Sequence, residues 1–321
     1  MIKKANILIV LLLVLSLCLF GCGSKDVADK TEKAVNLALG TSGSGSGVYI
    51  LGGVLCDVVN KNQEALIVSP QVTAGFEENL GLVNDNKIAL AEVSTNNLAA
   101  GMDKFSNITG VFNYTIPPLH LVVDGNKNIN SIEDLKGKKV NLGAPGQSTR
   151  KISEMLLSSY GLTADDYKIS SLPTGESIEA LKDGQVDAII VIAYAPMPGI
   201  AELALTKNIA ILPIEGSNAD KFNEAMSFSL VPSKIPAGSY KGIDQEIITV
   251  SPPMTIIANK DLDTELVYQF TKATWENLDE LGEANDSLKS LTLDKTVFSG
   301  WNNLPLHPGA EKYFKEVGIL D

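Results

Sequence analysis

Short apolar runs alternate with amphipathic stretches from residue 35 onward. Residues 35–39, 65–69, 88–93 and 108–112 have the length and composition of strands. Between them, 48–59 and 73–83 carry apolar residues at helical spacing, with Phe76, Leu80 and Val83 on one face of the second. Pro117 and Pro118 forbid helix, and the apolar run that follows them reads as a buried strand leading out of the first half. The rhythm then returns. A short capped helix at 131–135, a glycine stop and a strand around Val140 precede a helix over 148–160, striped by Ile152, Met155, Leu156 and Ser159. A strand around 186–191 follows. Residues 246–258 hold two strands split by Pro252 and Pro253, which reads as a second crossing. Residues 264–281 read as one long amphipathic helix with Leu266, Val267, Phe270, Ala273, Thr274 and Leu278 inward, and Pro308 suits the first turn of the last helix.

The two halves share a signature. Leu39-Gly40-x-x-Gly43 and Leu142-Gly143-x-x-Gly146 each follow a strand and open a helix. A strand ending near Val93 leads into Ser94, Thr95 and Asn96, and one ending near Val191 leads into Ile192, Ala193 and Tyr194. Ligands of open α/β sheets bind at the carboxyl ends of strands. The expectation is therefore an α/β fold of two similar lobes facing each other across a crevice, a clamp.

The first of these loops, Gly43-Ser44-Gly45-Ser46-Gly47, is rich in glycine and hydroxyls and carries no charge. It lacks the Gly-Lys-[Ser/Thr] of a phosphate loop, and Val48 stands where the third glycine of a dinucleotide fingerprint belongs. What remains is a helix N-terminus with unpaired N–H groups and a partial positive charge, suited to a carboxylate or phosphate.

Charge and cysteine content narrow the picture. The chain has 26 Lys and Arg against 38 Asp and Glu; residues 1–21 hold two of the lysines and no acid, so the remainder carries 24 against 38, a formal −14. That argues against nucleic acid, which asks for a basic face. Lys3 and Lys4 precede an apolar run over 7–20, shorter than the ~20 residues of a membrane span and suited to a signal-peptide core. It ends Phe20-Gly21-Cys22, which resembles a bacterial lipobox with a bulkier residue than usual at Phe20. The reading is a signal peptide over 1–21, lipidation at Cys22 and a polar tether over 22–34, with the protein anchored on the outer face of the cell membrane. Cys56, among Val54, Leu55, Val58 and Val59, reads as a small buried hydrophobe.

Ser131-Ile-Glu-Asp-Leu-Lys-Gly-Lys-Lys-Val140 followed by Gly143-Ala-Pro-Gly146 is similar to the opening of the second lobe in extracytoplasmic solute-binding proteins. With the loop at 39–53, the Pro117-Pro-Leu-His-Leu-Val-Val123 strand, the proline-rich stretch at 195–203 and Ile235-Pro-Ala-Gly-Ser-Tyr240, the chain resembles the TAXI group, the substrate receptors of tripartite ATP-independent periplasmic (TRAP) transporters. The resemblance runs over 35–319. It departs from the group at Ser94-Thr95-Asn96, where a Gln-Ser-Asp type of sequence is expected, and at Ser148, where glycine is common. It implies a two-lobed, type II periplasmic-binding-protein-like fold, with lobe I formed by 35–123 and 251–321 and lobe II by 124–250. It also implies a TRAP-type permease as partner and ligands such as glutamate, glutamine or related dicarboxylates. The candidate ligand residues are Gly43, Ser44, Gly45, Ser46, Tyr49, Ser94, Thr95, Asn96, Gln147, Ser148, Thr149, Arg150 and Tyr194. An amino-acid ligand would need a partner for its ammonium, for which Glu92 is a candidate.

No nucleophile–base pair, metal-ligand spacing or cofactor motif stands out, so a monomeric, non-enzymatic receptor without metal or cofactor is expected. The alternatives are a ligand sensor docking on a signalling receptor and a transferase or cofactor-biosynthesis enzyme on the same fold, since fold does not fix function. His120, alone among leucines and valines, reads as a packed residue. Asp187 reads as a turn carboxylate satisfied by backbone N–H groups, and His307 as a structural cap.

Overall fold

The computed structural model describes residues 34–321 apart from 45, 102, 146, 147, 228 and 290. The signal segment, Cys22, the tether up to residue 33, and the candidate residues Gly45 and Gln147 lie outside the described residues. Residues 34–321 form one compact unit.

Two five-stranded sheets organise it. The first half begins β1 (Val35–Gly40), α1 (Gly47–Asn62), β2 (Leu66–Gln71), α2 (Phe76–Asn84), β3 (Leu90–Ser94), α3 (Thr95–Gly101) and β4 (Ile108–Thr115). The chain then enters β5 (Leu119–Asp124) and continues through β6 (Lys139–Asn141), α4 (Ser148–Ser159), β7 (Lys168–Ser170), α5 (Thr174–Lys182), β8 (Ala188–Ile192), α6 (Pro198–Thr206), β9 (Ile209–Ile211) and α7 (Gly216–Ala225). A two-stranded antiparallel sheet, β10 (Val231–Ile235) and β11 (Ile247–Ser251), precedes β12 (Met254–Asn259), α8 (Thr264–Trp275), α9 (Leu278–Ala284) and α10 (Pro308–Glu316).

The strand orders are β2-β1-β3-β12-β4 and β7-β6-β8-β5-β9. They correspond position by position. In each, three strands run parallel and the fourth is antiparallel to both neighbours. That fourth strand is the one reached by a crossing: β5 enters the second sheet straight after Pro117-Pro118, and β12 enters the first straight after Pro252-Pro253. Proline has no N–H for a sheet ladder and fixes φ, so a pair of them ends one ladder and hands the chain to the next. Because β5 pairs with β8 and β9, the first crossing spans residues 116–118, ahead of the boundary at residue 123 expected from the sequence. The two passages are tied together, since Thr249 Oγ1 donates to Leu119 O and Ser251 Oγ to Pro117 O, both at 2.7 Å.

Each sheet buries its own core. In the first lobe Leu39, Leu55, Val59, Phe112, Phe270 and Phe314 are fully buried, and Phe112 packs on Phe270 and Trp275. In the second, Leu121, Val140, Ile152, Leu156 and Phe222 fill the space under α4 and α7. The helix expected over 264–281 is two helices. Glu276 caps α8, and Asn277 turns its side-chain amide back onto Ala273 O at 2.8 Å, which ends the first helix before α9 begins. Among the described residues no helix is long and apolar enough to cross a membrane.

Candidate functional site

A cavity of about 830 Å³ lies where the carboxyl ends of the two sheets converge. The first lobe contributes Gly47, Val48, Ile50 and Leu51 from the first turns of α1, Phe76 from the start of α2, and Ser94 from the end of β3. The second contributes Ser148 and Thr149 at the start of α4, Ile192, Ala193 and Tyr194 after β8, and Pro196, Met197 and Pro198 at the start of α6. Pro117 and Pro252 of the two crossings form the back, and Asn285 and Ser287 reach in from the segment after α9.

The helix ends govern the chemistry of this wall. The first N–H groups of α1 and of α4 have no intrahelical acceptor, and each helix places a partial positive charge at the cavity. Ser46 caps α1, its Oγ accepting from Tyr49 N at 3.1 Å, so that hydroxyl serves the helix. Among the described lining residues none is Lys, Arg, Asp, Glu, His or Cys. An anion there is met by oriented N–H groups and hydroxyls, without a fixed counter-charge. The rest of the wall is aliphatic, aromatic and proline.

Of the residues singled out in the sequence, Ser94, Ser148, Thr149 and Tyr194 line the cavity. Ser94 Oγ is hydrogen-bonded to Asn96 Oδ1, which keeps Asn96 beneath it. Thr95 is fully buried and donates to Ser229 O at 2.6 Å, so its hydroxyl ties α3 to the segment before β10. Gly43 and Ser44 are exposed on the loop, and they and Tyr49 are not among the lining residues. The Arg150 guanidinium turns along α4, with Nε 2.5 Å from Glu154 Oε1 and Nη1 2.8 Å from Ser171 Oγ, and is not among the lining residues. A glutamate four residues on is a ready partner for an arginine on a helix. Phe76, Met197, Asn285 and Ser287 were not singled out. The first two are ordinary core-type residues in the sequence, and the last two lie far along the chain from any motif.

His120 has a structural part in this wall. Its Nδ1–H donates to Pro118 O at 3.0 Å, because a carbonyl can only accept. Nε2 is then the acceptor and takes the Tyr240 hydroxyl proton at 2.9 Å, while the Tyr240 oxygen accepts from Met197 N at 2.9 Å. The chain of bonds pins the cavity segment ahead of α6 to the first crossing. Burial pushes the imidazole down to about 4, against a smaller opposing effect of the Pro118 carbonyl. Asp187 accepts from Lys139 N at 2.8 Å, Cys56 is buried, and His307 caps α10 by accepting from Gly309 N at 3.1 Å.

The sequence profile of the NMT1-like family matches residues 39–318. Among solved structures, the chain is similar to one from Methylobacillus flagellatus KT named as the periplasmic sulfonate-binding protein SsuA of a sulfonate ABC transporter (17% identity, 90% of this chain and 88% of that one, TM-score 0.52). It is also similar to the periplasmic aliphatic sulphonate binding protein SsuA of Escherichia coli (16%, 78% and 78%, 0.49). A third is a Bacillus subtilis protein, ytmK, named as an amino-acid ABC transporter extracellular-binding protein (18%, 81% and 98%, 0.49). The first of these likenesses carries the fold: α/β, two-lobed, of the type II periplasmic-binding-protein kind.

Proposed function

The chain belongs to the NMT1-like family, and from that premise we propose that it is an extracytoplasmic solute-binding protein. It captures a small organic anion between its lobes and delivers it to a membrane transporter. The observation that carries this reading is the cavity itself: two helix N-termini, from opposite lobes, meet at a wall of hydroxyls and apolar side chains. A ligand bridging the lobes stabilises the closed arrangement by its differential affinity for it.

The ligand class is a carboxylate with an apolar body. Its oxygens sit against the first turns of α1 and α4, with Ser94, Ser148 and Thr149 adding hydroxyls. Its body contacts Leu51, Phe76, Ile192 and Met197. A sulfonate makes the same demands on N–H donors, and two of the similar structures carry sulfonate in their names. Glutamate fits less well, because its ammonium meets no exposed carboxylate in the described wall. The lipobox-like Cys22 supplies the anchor, on the outer face of the cell membrane, and the protein acts as a monomer.

For the partner, the sequence motifs favour a TRAP-type permease, whereas two of the similar structures are named as ABC-transporter proteins. The two are separated by energy source. Membrane vesicles carrying the cognate permease are expected to accumulate the solute, in the presence of this protein, on an imposed cation gradient without ATP. Accumulation that needs ATP and ignores the gradient assigns the partner to the ABC class.

A further inference from the structure

The segment after α9 brings Asn285 to the cavity wall, and Asn285 is the one side-chain amide among the described lining residues. The segment is mounted firmly. Leu281 before it and Leu288 after it are buried in the core of the first lobe. Asn285 N donates to Leu281 O at 3.0 Å, and Leu288 N donates to Asn285 O at 2.9 Å. With its main chain bound on both sides, the half-buried Asn285 holds a fixed place in the wall.

The side chain is oriented as well. Asn285 Oδ1 accepts from Ser287 N at 2.9 Å. A main-chain N–H can only donate, so the amide oxygen faces Ser287 and Nδ2 points the other way. Among the described residues Nδ2 has no acceptor. Its flank adds no net charge, since Asp286 pairs with Lys289 at 2.6 Å and neither lines the cavity. Tyr194, another polar group of the wall, spends its proton on Thr115 Oγ1 at 2.6 Å. The Asn285 amide is therefore an unspent neutral donor in a mostly apolar wall. Water satisfies such a donor in the absence of solute. A solute that displaces the water and offers no acceptor loses affinity, and one that supplies an acceptor keeps it. The acceptor is neutral, because a second carboxylate would bring another charge into a described wall without Lys or Arg.

We infer that Asn285 is a specificity-determining residue, and that the solute bears a carbonyl-type oxygen on its apolar body in addition to its anionic group. Such a solute is an oxo or acyl-substituted acid, not a plain alkyl or aryl acid. The assignment rests on the anion reading and deepens it: the ends of α1 and α4 hold the anion, and Asn285, on a third segment, meets a second point of the solute. One neutral hydrogen bond of this kind is worth about three- to tenfold in affinity. Oδ1 serves the turn and Nδ2 serves the solute, so substitution can separate the two roles. Serine is also a good capping residue, so Asn285→Ser keeps an oxygen for Ser287 N and removes the amide donor.

The test is isothermal titration calorimetry on residues 23–321, which contain the whole compact unit, refolded free of solute. The probes are two matched pairs of acids: hexanoate with 5-oxohexanoate, and 4-phenylbutanoate with 4-oxo-4-phenylbutanoate. The wild type is expected to bind the oxo member of at least one pair about three- to tenfold more tightly than the plain member. Asn285→Ser is expected to bind both members as the wild type binds the plain acid. Plain acids that bind with no preference for their oxo partners overturn the assignment and leave the anion reading standing. A preference that survives in Asn285→Ser overturns it, and so does a variant that weakens plain and oxo acids alike, which places Asn285 at the anion instead. Binding of none of the four acids overturns it together with the anion reading. Should circular dichroism show Asn285→Ser unfolded, Asn285→Gly, nearly as good at a helix start, decides by the same criteria.

Discussion

His120 shows how one buried side chain can also tie a cavity segment to a crossing. It is neutral in the fold and donates through Nδ1, and its titration is depressed to about 4 from an ordinary 6.5. The folded protein therefore binds fewer protons than the unfolded chain between those values. Its contribution to stability is complete above about 6.5 and lost as the pH falls towards about 4, on the order of 3 kcal/mol for a shift of this size. Urea denaturation at pH 7 and pH 4.5 should show a steep loss in the wild type and a flatter one in His120→Gln. Tyr240→Phe should loosen the cavity segment at Met197 and, by removing the donor to the neutral His120 Nε2, flatten that slope as well. Gly52 is the second informative residue. A methyl there meets Glu92 Oε1 at 2.8 Å and Thr41 Cγ2 at 2.9 Å, so Gly52→Ala should cost about 1–3 kcal/mol in the same assay. Neither role is visible in the residue types. A histidine among leucines reads as packed, and the Tyr240 partner stands 120 residues away. Arg150, beside a cleft motif, pairs with Glu154 one turn on.

At the scale of elements, helix ends set both stability and site. Asp263 caps α8 by accepting from Glu265 N and Leu266 N at 2.8 and 3.2 Å, and Asp263→Ala should lower stability by about 1 kcal/mol. Gly309→Ala should cost more, because its Cβ would lie 2.3 Å from the main-chain oxygen of Thr264, where α10 crosses α8, and main chain yields less readily than a side chain. Thermal unfolding of the two variants side by side checks that order. Most strands and helices were legible because their periodicity is strong, the short β7, β9 and β10 being exceptions, and the starts of α1 and α4 were legible from glycine and hydroxyl loops. The break between α8 and α9 was not. Its apolar stripe continues through Leu278, while the local event is a single Asn277 side chain folding back on Ala273.

At the scale of the molecule, the repeated Leu-Gly-x-x-Gly turns and the two proline pairs disclose the plan: two sheets of one topology, each completed by a strand delivered through a crossing. Part of the cavity follows from that plan, since strand ends and helix starts must converge there. Met197, Asn285 and Ser287 do not follow from it, because their arrival depends on tertiary packing of segments with no motif of their own. The central claim, that two helix N-termini from opposite lobes hold an anion, is tested most directly by a thermal-shift panel on residues 23–321, unfolded and refolded to remove any bound solute. The panel should hold aliphatic and aromatic carboxylates, sulfonates, amino acids, polyamines and uncharged pyrimidines. A ligand at 100 times its dissociation constant adds about 2.7 kcal/mol of stability. Stabilisation by carboxylates or sulfonates with apolar bodies is the predicted result; stabilisation by cationic or uncharged compounds alone would contradict it.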